Sequence, residues 1–486
     1  QTCALPISCD IESYVYLPLL EKTGFVPRQK YTDAPETLEY CRVLADKYGL
    51  DDIALMQTEV IATEWDEAAR RWTVTTNRQD CIKARFVVHS NGPLNRPKLP
   101  AIRGINEYKG HTFHTSRWDY AYTGGDSHGN LDNLHDKRVA IIGTGATAVQ
   151  CIPHLGAGAK ELYVFQRTPS SISVRNNQPT DPEWLGTQKP GWQSERRTNF
   201  ESFLTGAPVE EDLVSDGWTE AFRLLFGQLR DEAPSKWRMA GWALNGVFDR
   251  EFYQVGVKKY LTDKAMAYMD VETKVELADF ANMEKVRARA DSVVEDKETA
   301  EALKPYYRQF CKRPCFHDEY LPTYNLPNVS LVDTEGRGID EITEKGVVFD
   351  GKEYEVDCII FATGFEVGTD YSRRAGYSIV GVDGQTVSEK WANGLQTFHG
   401  MHAKGFPNCF FFGPAQSGFT ATYTFSLDEN SIHLGYIMSE LAKRGVTRVE
   451  ASQAAEDDWV QTIIRKARLT ADFQKACTPE IGRAHV

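Results

Sequence analysis

Residues 83–90 read Lys-Ala-Arg-Phe-Val-Val-His-Ser, a β-branched and aromatic run that ends at Asn91-Gly92-Pro93, and this predicts a strand followed by a turn. Tyr40, Val43, Leu44 and Tyr48 recur at helical spacing, with Gly49 as the stop. Residues 57–76 alternate and break as a hairpin does, with Trp65 and Trp72 near its turn. A Gly-, Asp-, Ser- and Asn-rich stretch over 124–133 predicts a loop before the next unit. That unit reads as a strand over 138–142, a tight turn Gly143-Thr144-Gly145, a helix over 146–155 and a strand over 162–166.

Over 182–303 the chain becomes rich in Trp, Arg and Glu with helical periodicity, which predicts a helical insertion. Strand patterns return at 329–333, 346–349, 357–363 and 408–413, and 427–444 predicts a helix. No repeat of solenoid period is present. Strands alternating with helices predict an α/β fold with parallel sheets.

The 486 residues correspond to about three domains or subdomains. Lys and Arg number 55 against 68 Asp and Glu, a net charge of −13, and no basic block stands out, which argues against a nucleic-acid partner. Runs such as Cys358–Phe361 are too short to span a bilayer, so no membrane partner is expected. The ten cysteines are scattered and none has zinc-site spacing, so no metal is expected. Cys311 and Cys315, the closest pair, make a weak redox candidate. Reduced thiols and a cytoplasmic location are the expectation.

The ends are unusual. One permitted codon choice for the first residues is CAG ACG TGT GCT CTT CCG ATC, and its reverse complement encodes the final Ile-Gly-Arg-Ala-His-Val. The string resembles a sequencing adapter, so 1–8 and 481–486 are expected to be adapter-derived. Genomic sequence with a natural Met just before Gln1 would refute this.

The strand Val139 to Ile142 runs into Gly143-Thr144-Gly145-Ala146-Thr147-Ala148, a G-x-G-x-x-A turn opening a helix. Gly143 allows the tight turn, Gly145 lets backbone N–H groups approach a pyrophosphate, and Ala148 permits close helix–strand packing. At the end of the next strand, where an NAD site carries an acid, the chain has Gln166-Arg167-Thr168. Arg167, which also fits a solvated surface residue, can pair with a 2′-phosphate, and its position after the strand favours NADP.

Tyr108, Gly110, His114, Trp118 and Asp119 form a further motif. By residue type alone, His114 and Trp118 also fit ordinary packing at a domain junction. The spacing, an aromatic, Gly after one residue, His after three more, Trp after three more and then Asp, resembles the fingerprint of type I Baeyer–Villiger monooxygenases. Tyr108 stands where Phe is commoner.

The resemblance continues along the chain. Cys9-Asp10-Ile11-Glu12-Ser13 is similar to the family segment after its aromatic flavin-binding stretch, and Ala362-Thr363-Gly364 to the turn where two-dinucleotide flavoproteins return to the flavin domain. Phe310-Cys311-Lys312-Arg313 resembles the segment with the active-site Arg. The resemblance implies that Arg313 is catalytic, Asp10 orients it, and Lys312 approaches the NADP phosphate. It implies two Rossmann-like dinucleotide domains with a helical insertion: FAD domain over 9–125 and 357–480, NADP domain over 136–185 and 304–356, insertion over 186–303.

The implied reaction uses NADPH, FAD and O₂, and a flavin peroxide stabilised by the guanidinium inserts one oxygen beside a ketone carbonyl to give an ester or lactone. The family's first G-x-G-x-x-G does not precede Asp10 here, so the FAD domain is expected to be incomplete at its N-terminus and this chain inactive as it stands. Two other readings stay open. One is N- or S-oxygenation in the same fold, and the other is an NADP-binding fragment without catalysis. A disulfide reductase would need a redox Cys pair at the flavin. For substrate, residues 182–303 and 413–425 are expected to line the pocket, with small Gly418, Ala421 and Thr422, and residues 13–20 resemble the branch acting on large cyclic and polycyclic ketones.

Overall fold

The computed structural model describes residues 9–227, 271–413, 416, 420–467, 473, 475 and 477. Both expected adapter segments, residues 228–270 of the insertion, and Gly418 lie outside the described residues.

In chain order the described strands are β1 (Val60–Asp66), β2 (Arg71–Thr76), β3 (Cys81–Ala84), β4 (Val87–His89), β5 (His111–His114), β6 (Arg138–Ile142), β7 (Glu161–Gln166) and β8 (Ile172–Ser173). They continue with β9 (Cys315–Phe316), β10 (Val329–Asp333), β11 (Glu341–Ile342), β12 (Gly346–Phe349), β13 (Lys352–Glu355), β14 (Cys358–Phe361), β15 (Ser378–Val380) and β16 (Cys409–Phe411).

The centre is a five-stranded sheet in the order β10-β7-β6-β14-β5, parallel throughout. Successive side chains on a strand point to opposite faces, so β6 divides its apolar residues between two cores. Val139 and Ile141 pack with Ala148, Val149, Ile152 and Leu155 of the helix Ala146–Gly158. Ala140 and Ile142 pack with Phe165, Ile359, Val347 and Phe349. Val347 and Phe349 come from the antiparallel sheet β11-β12-β13, which covers that second face. The central strands are therefore buried on both faces, as a Rossmann-type sheet requires.

The helix Ala34–Tyr48 ends at Gly49 in the left-handed conformation (φ 58°), as its spacing predicts. The hairpin is β1 against β2, with Trp65 opposite Trp72. The helix after the glycine turn runs to Gly158, and the later one, Tyr423–Arg444, begins a turn earlier than predicted.

Three expectations need correction. The run 83–90 is two strands in different sheets: β3 extends the hairpin beside β2, and β4 pairs with β16. Phe86 between them packs its ring 6.5 Å from Phe410 and carries the chain from one sheet to the other. The strand at 346–349 is antiparallel rather than parallel. Asp350 (φ 52°) and Gly351 (φ 74°) make the two-residue turn that folds β13 back on it. The boundaries drawn at 125 and 357 also cut through one sheet. β5 and β14, assigned to the flavin side, pair with each other, and β14 pairs with β6 of the NADP unit. β14 is buried throughout and β5 is a short edge strand, and neither carries a sequence mark of the sheet it joins.

The insertion contributes the helices Trp192–Thr205, Gly217–Gly227 and Val271–Val293. Phe200, Leu204, Trp218 and Phe222 from the first two pack with Ile11, Val15 and Phe316, so the insertion is sealed onto the start of the described chain. Among the described residues no helix is long and apolar enough to cross a membrane.

Candidate active site

The glycine turn and the Ala362-Thr363-Gly364 turn leave the carboxyl ends of adjacent parallel strands, β6 and β14, the place where open α/β sheets bind ligands. Gly143 adopts φ 108°, and a Cβ there would press on the Ala362 carbonyl, 2.5 Å away. Gly145 differs. Its φ of −74° is ordinary, and a Cβ there would project into open space. Protein packing therefore does not demand glycine at 145, whereas close approach of a phosphate to the helix N-terminus does.

The strand-end loop closes round this turn. Thr144 Oγ1 donates to the Thr168 carbonyl (3.0 Å), and Ser170 Oγ donates to the Thr144 carbonyl (2.5 Å). Gln166 is fully buried and donates to the Ala302 carbonyl at 2.8 Å, so its side chain is committed to the insertion. Arg167 is exposed, and Lys312 bonds Thr168 through the side-chain hydroxyl and the carbonyl (3.1 Å). Burial, and then the nearby charge of Arg167, depress Lys312 to about 8. Two cations converging beside a glycine turn fit the 2′-phosphate of NADP.

Lys312 and Arg313 reach the site because β9, which follows them, pairs in parallel with β8 (Ile172 opposite Cys315). Arg313 Nη1 and Nη2 donate to the two carboxylate oxygens of Asp10, the second at 2.6 Å. Asp10 is buried, while 42% of the Arg313 side chain stays accessible, so the guanidinium is anchored on one side and open on the other. Burial opposes its charge, but the Asp10 carboxylate outweighs that and holds the pKa above its ordinary value.

The structure adds partners that no sequence motif marks. Trp218 Nε1 donates to the Asp10 carbonyl (3.1 Å), and its ring lies 5.3 Å from the Arg313 guanidinium carbon. Glu12 is buried and accepts from Arg196 Nε (2.5 Å) and Nη2 (2.6 Å), tying the same segment to the insertion. The Trp-rich composition of the insertion was the one available signal for Trp218, and it selects no single residue. Ala421 packs against the Trp218 cluster, and Thr422 is fully buried.

Tyr108, Gly110, His114, Trp118 and Asp119 lie in and around the central sheet. Tyr108 donates to the Val356 carbonyl (2.8 Å), and a side chain at Gly110 would collide with the Tyr108 ring. Trp118 is buried edge-on to Phe113 and donates to Thr123 Oγ1 (3.1 Å). Asp119 accepts from the Tyr122 N–H (3.2 Å) and pairs with His111 (2.9 Å). His114 stands in register with Phe361, one residue before the Ala362-Thr363-Gly364 turn, and burial depresses its pKa. That turn is stapled in place: Thr363 Oγ1 donates to the Lys98 carbonyl (2.5 Å), and the Lys98 N–H to the Gly364 carbonyl (2.9 Å). The motif residues thus pack and hydrogen-bond within and around the central sheet, and His114 lies beside the Ala362-Thr363-Gly364 turn.

The expectation of reduced thiols is wrong at one place. Cys311 is disulfide-bonded to Cys477, 166 residues away. This removes Cys311/Cys315 as a redox pair, and burial pushes the Cys315 thiol up to about 12. Folding, not spacing, brings Cys477 to Cys311. Among the described residues no cluster of His, Cys, Asp or Glu could hold a metal.

The Ala362-Thr363-Gly364 turn, which the resemblance implies for the flavin, follows β14 in the central sheet.

No family model matches the chain. It is 51% identical over 475 residues to neopentalenolactone D synthase of Streptomyces avermitilis, covering 97% of this chain and 75% of that protein. It is 47% identical over 471 residues to Baeyer–Villiger monooxygenase ATR8 of Stachybotrys chlorohalonatus, covering 97% and 71%. Among solved structures it resembles a polycyclic ketone monooxygenase from Thermothelomyces thermophila, with TM-score 0.83 and 38% identity over 98% of this chain and 74% of that one. It also resembles OTEMO in complex with FAD and NADP, with TM-score 0.71 and 27% identity over 96% and 82%.

Proposed function

The chain belongs to the Baeyer–Villiger monooxygenases, and on that premise we propose that Arg313, gripped by Asp10, is its catalytic residue. The enzyme is an FAD- and NADP-dependent flavoprotein that inserts one oxygen next to a ketone carbonyl to give an ester or lactone. FAD, when bound, would supply the two-electron chemistry, with NADPH as the reductant and O₂ as the source of the inserted oxygen.

The chain's own residues do the rest. Arg313 presents a permanent positive charge where negative charge develops on oxygen, and Asp10 limits its rotation. The glycine turn and helix N-terminus, Gly143 to Ala148, hold the nucleotide pyrophosphate. Arg167, Thr168 and Lys312 hold its 2′-phosphate, and Ala362-Thr363-Gly364 faces the flavin. Tyr108, Gly110, His114, Trp118 and Asp119 brace that turn at the junction of the two dinucleotide domains. Flavin-side residues come from 9–125 and 357–480, apart from β5 and β14. Among the described residues, seven free cysteines against one disulfide support a cytoplasmic location.

The observation that carries the catalytic assignment is the bidentate Arg313–Asp10 pair on the segment that places Lys312 at Thr168. The names of the similar synthase and of the polycyclic ketone monooxygenase support a bulky cyclic or polycyclic ketone as substrate.

The test is to incubate the flavin-loaded enzyme with NADPH, O₂, a bulky cyclic ketone, a thioether and an amine, and to identify products by mass and NMR. A lactone with one inserted oxygen, lost in Arg313→Ala, is the expected result. Sulfoxide or hydroxylamine alone would move the enzyme to heteroatom oxygenation. Hydrogen peroxide alone would reject these ketones as substrates.

A further inference from the structure

We propose that Trp218, on the insertion helix Gly217–Gly227, is a positioning residue that orients the Arg313–Asp10 pair. The proposal rests on the catalytic reading of Arg313 given above. One indole touches both partners of the pair: its N–H bonds the Asp10 carbonyl (3.1 Å) and its face lies 5.3 Å from the guanidinium carbon. A bidentate carboxylate aligns the guanidinium with itself, but the carboxylate can still turn about its own side-chain bonds. A ring against the guanidinium face removes that freedom, and its cation–π attraction favours the charged, seated arginine.

The same helix grips the arginine segment on both sides. Phe316 packs 5.3 Å from the Trp218 ring, and Phe310 packs 4.8 Å from Phe222 one turn along. These two phenylalanines stand three residues after and three before Arg313. A side chain at Gly217 would run into the Phe316 ring, so the helix starts closer to this segment than any other residue would allow. Asp216 fixes that first turn, its carboxylate accepting from the Thr219 N–H (2.9 Å) while Thr219 Oγ1 accepts from the Asp216 N–H (3.1 Å). The insertion thus supplies part of the rigid support of the catalytic arginine, and any displacement of it reaches Arg313 through Trp218.

Trp218→Phe keeps the ring face and loses the N–H; Trp218→Leu loses both. In the flavin-loaded enzyme, Trp218→Leu should lower the rate of oxygenated product about tenfold, the loss of roughly one cation–π contact and one hydrogen bond. KM for NADPH should change less than about twofold, because that site lies at Lys312 and the glycine turn. A larger share of NADPH should end as hydrogen peroxide, and Trp218→Phe should recover most of the product rate. Hydrogen exchange over 309–316, measured without substrate, should rise in Trp218→Leu and stay near wild type in Trp218→Phe. A wild-type product rate in Trp218→Leu would overturn the proposal. So would equal loss of activity and melting temperature in both variants, the behaviour of a plain core residue. Arg313→Ala is assayed alongside: if it still makes lactone at the wild-type rate, the catalytic reading of Arg313 fails with it. If Arg313→Ala is inactive while Trp218→Leu is not, the Trp218 proposal alone fails.

Discussion

Arg313 and Asp10 lie 303 positions apart, yet two guanidinium N–H groups grip both oxygens of one carboxylate. Asp10 is buried there, so removing its partner strands a buried charge. Arg313→Ala should cut the lactone-forming rate by about 10²–10³, the usual cost of losing a donor to developing oxyanion charge. Arg313→Lys should restore little, because a point charge cannot make the forked contact. Steady-state product analysis checks both.

Lys312 is depressed to about 8 by burial and by Arg167, and on its proposed role at the 2′-phosphate this should give NADP binding a pH dependence. Its charged form is the one that attracts a phosphate dianion. Below pH 8 it is already charged and affinity should be flat. Above pH 8 binding must take up a proton, so affinity should fall by up to about tenfold per pH unit. Calorimetric NADP titrations between pH 6.5 and 9.5 would show this, and Lys312→Arg should flatten the curve.

Gly143 and Gly145 should respond differently to the same substitution. At Gly143 the backbone sits at φ 108° and a Cβ meets the Ala362 carbonyl. Gly143→Ala should therefore cost about 1–3 kcal/mol of stability. Gly145→Ala should melt as wild type, since its Cβ enters open space, but should weaken NADP binding by filling the nucleotide's approach. Thermal unfolding paired with NADP titration separates the two.

The Cys311–Cys477 bond ties the Cys477 segment to a position two residues before Arg313. Thiol titration in denaturant should find two more thiols after reduction than before. Cys477→Ser should lower stability by about 2–5 kcal/mol, as loss of a bond closing a long loop does. Equal thiol counts with and without reductant would show that the bond does not form.

Much of this was legible in the sequence. A strand of Val, Ala and Ile running into Gly-Thr-Gly, the Gln166-Arg167 strand end, the Trp65 and Trp72 hairpin and the Gly49 stop are local patterns. They are written in side-chain period and backbone turn preference, so a short window is enough to read them. Resemblance carried Asp10 and Arg313 further, to a pair that folding brings together. Tertiary structure alone decided that β5 and β14 share the β6 sheet, that 83–90 divides between two sheets, that Cys311 meets Cys477, and that Trp218 lies against Arg313. Most of these join segments far apart in the chain, through strand pairing, a disulfide or side-chain packing. A short strand, a cysteine or a helix-borne tryptophan carries no local mark of the partner that the fold will bring to it.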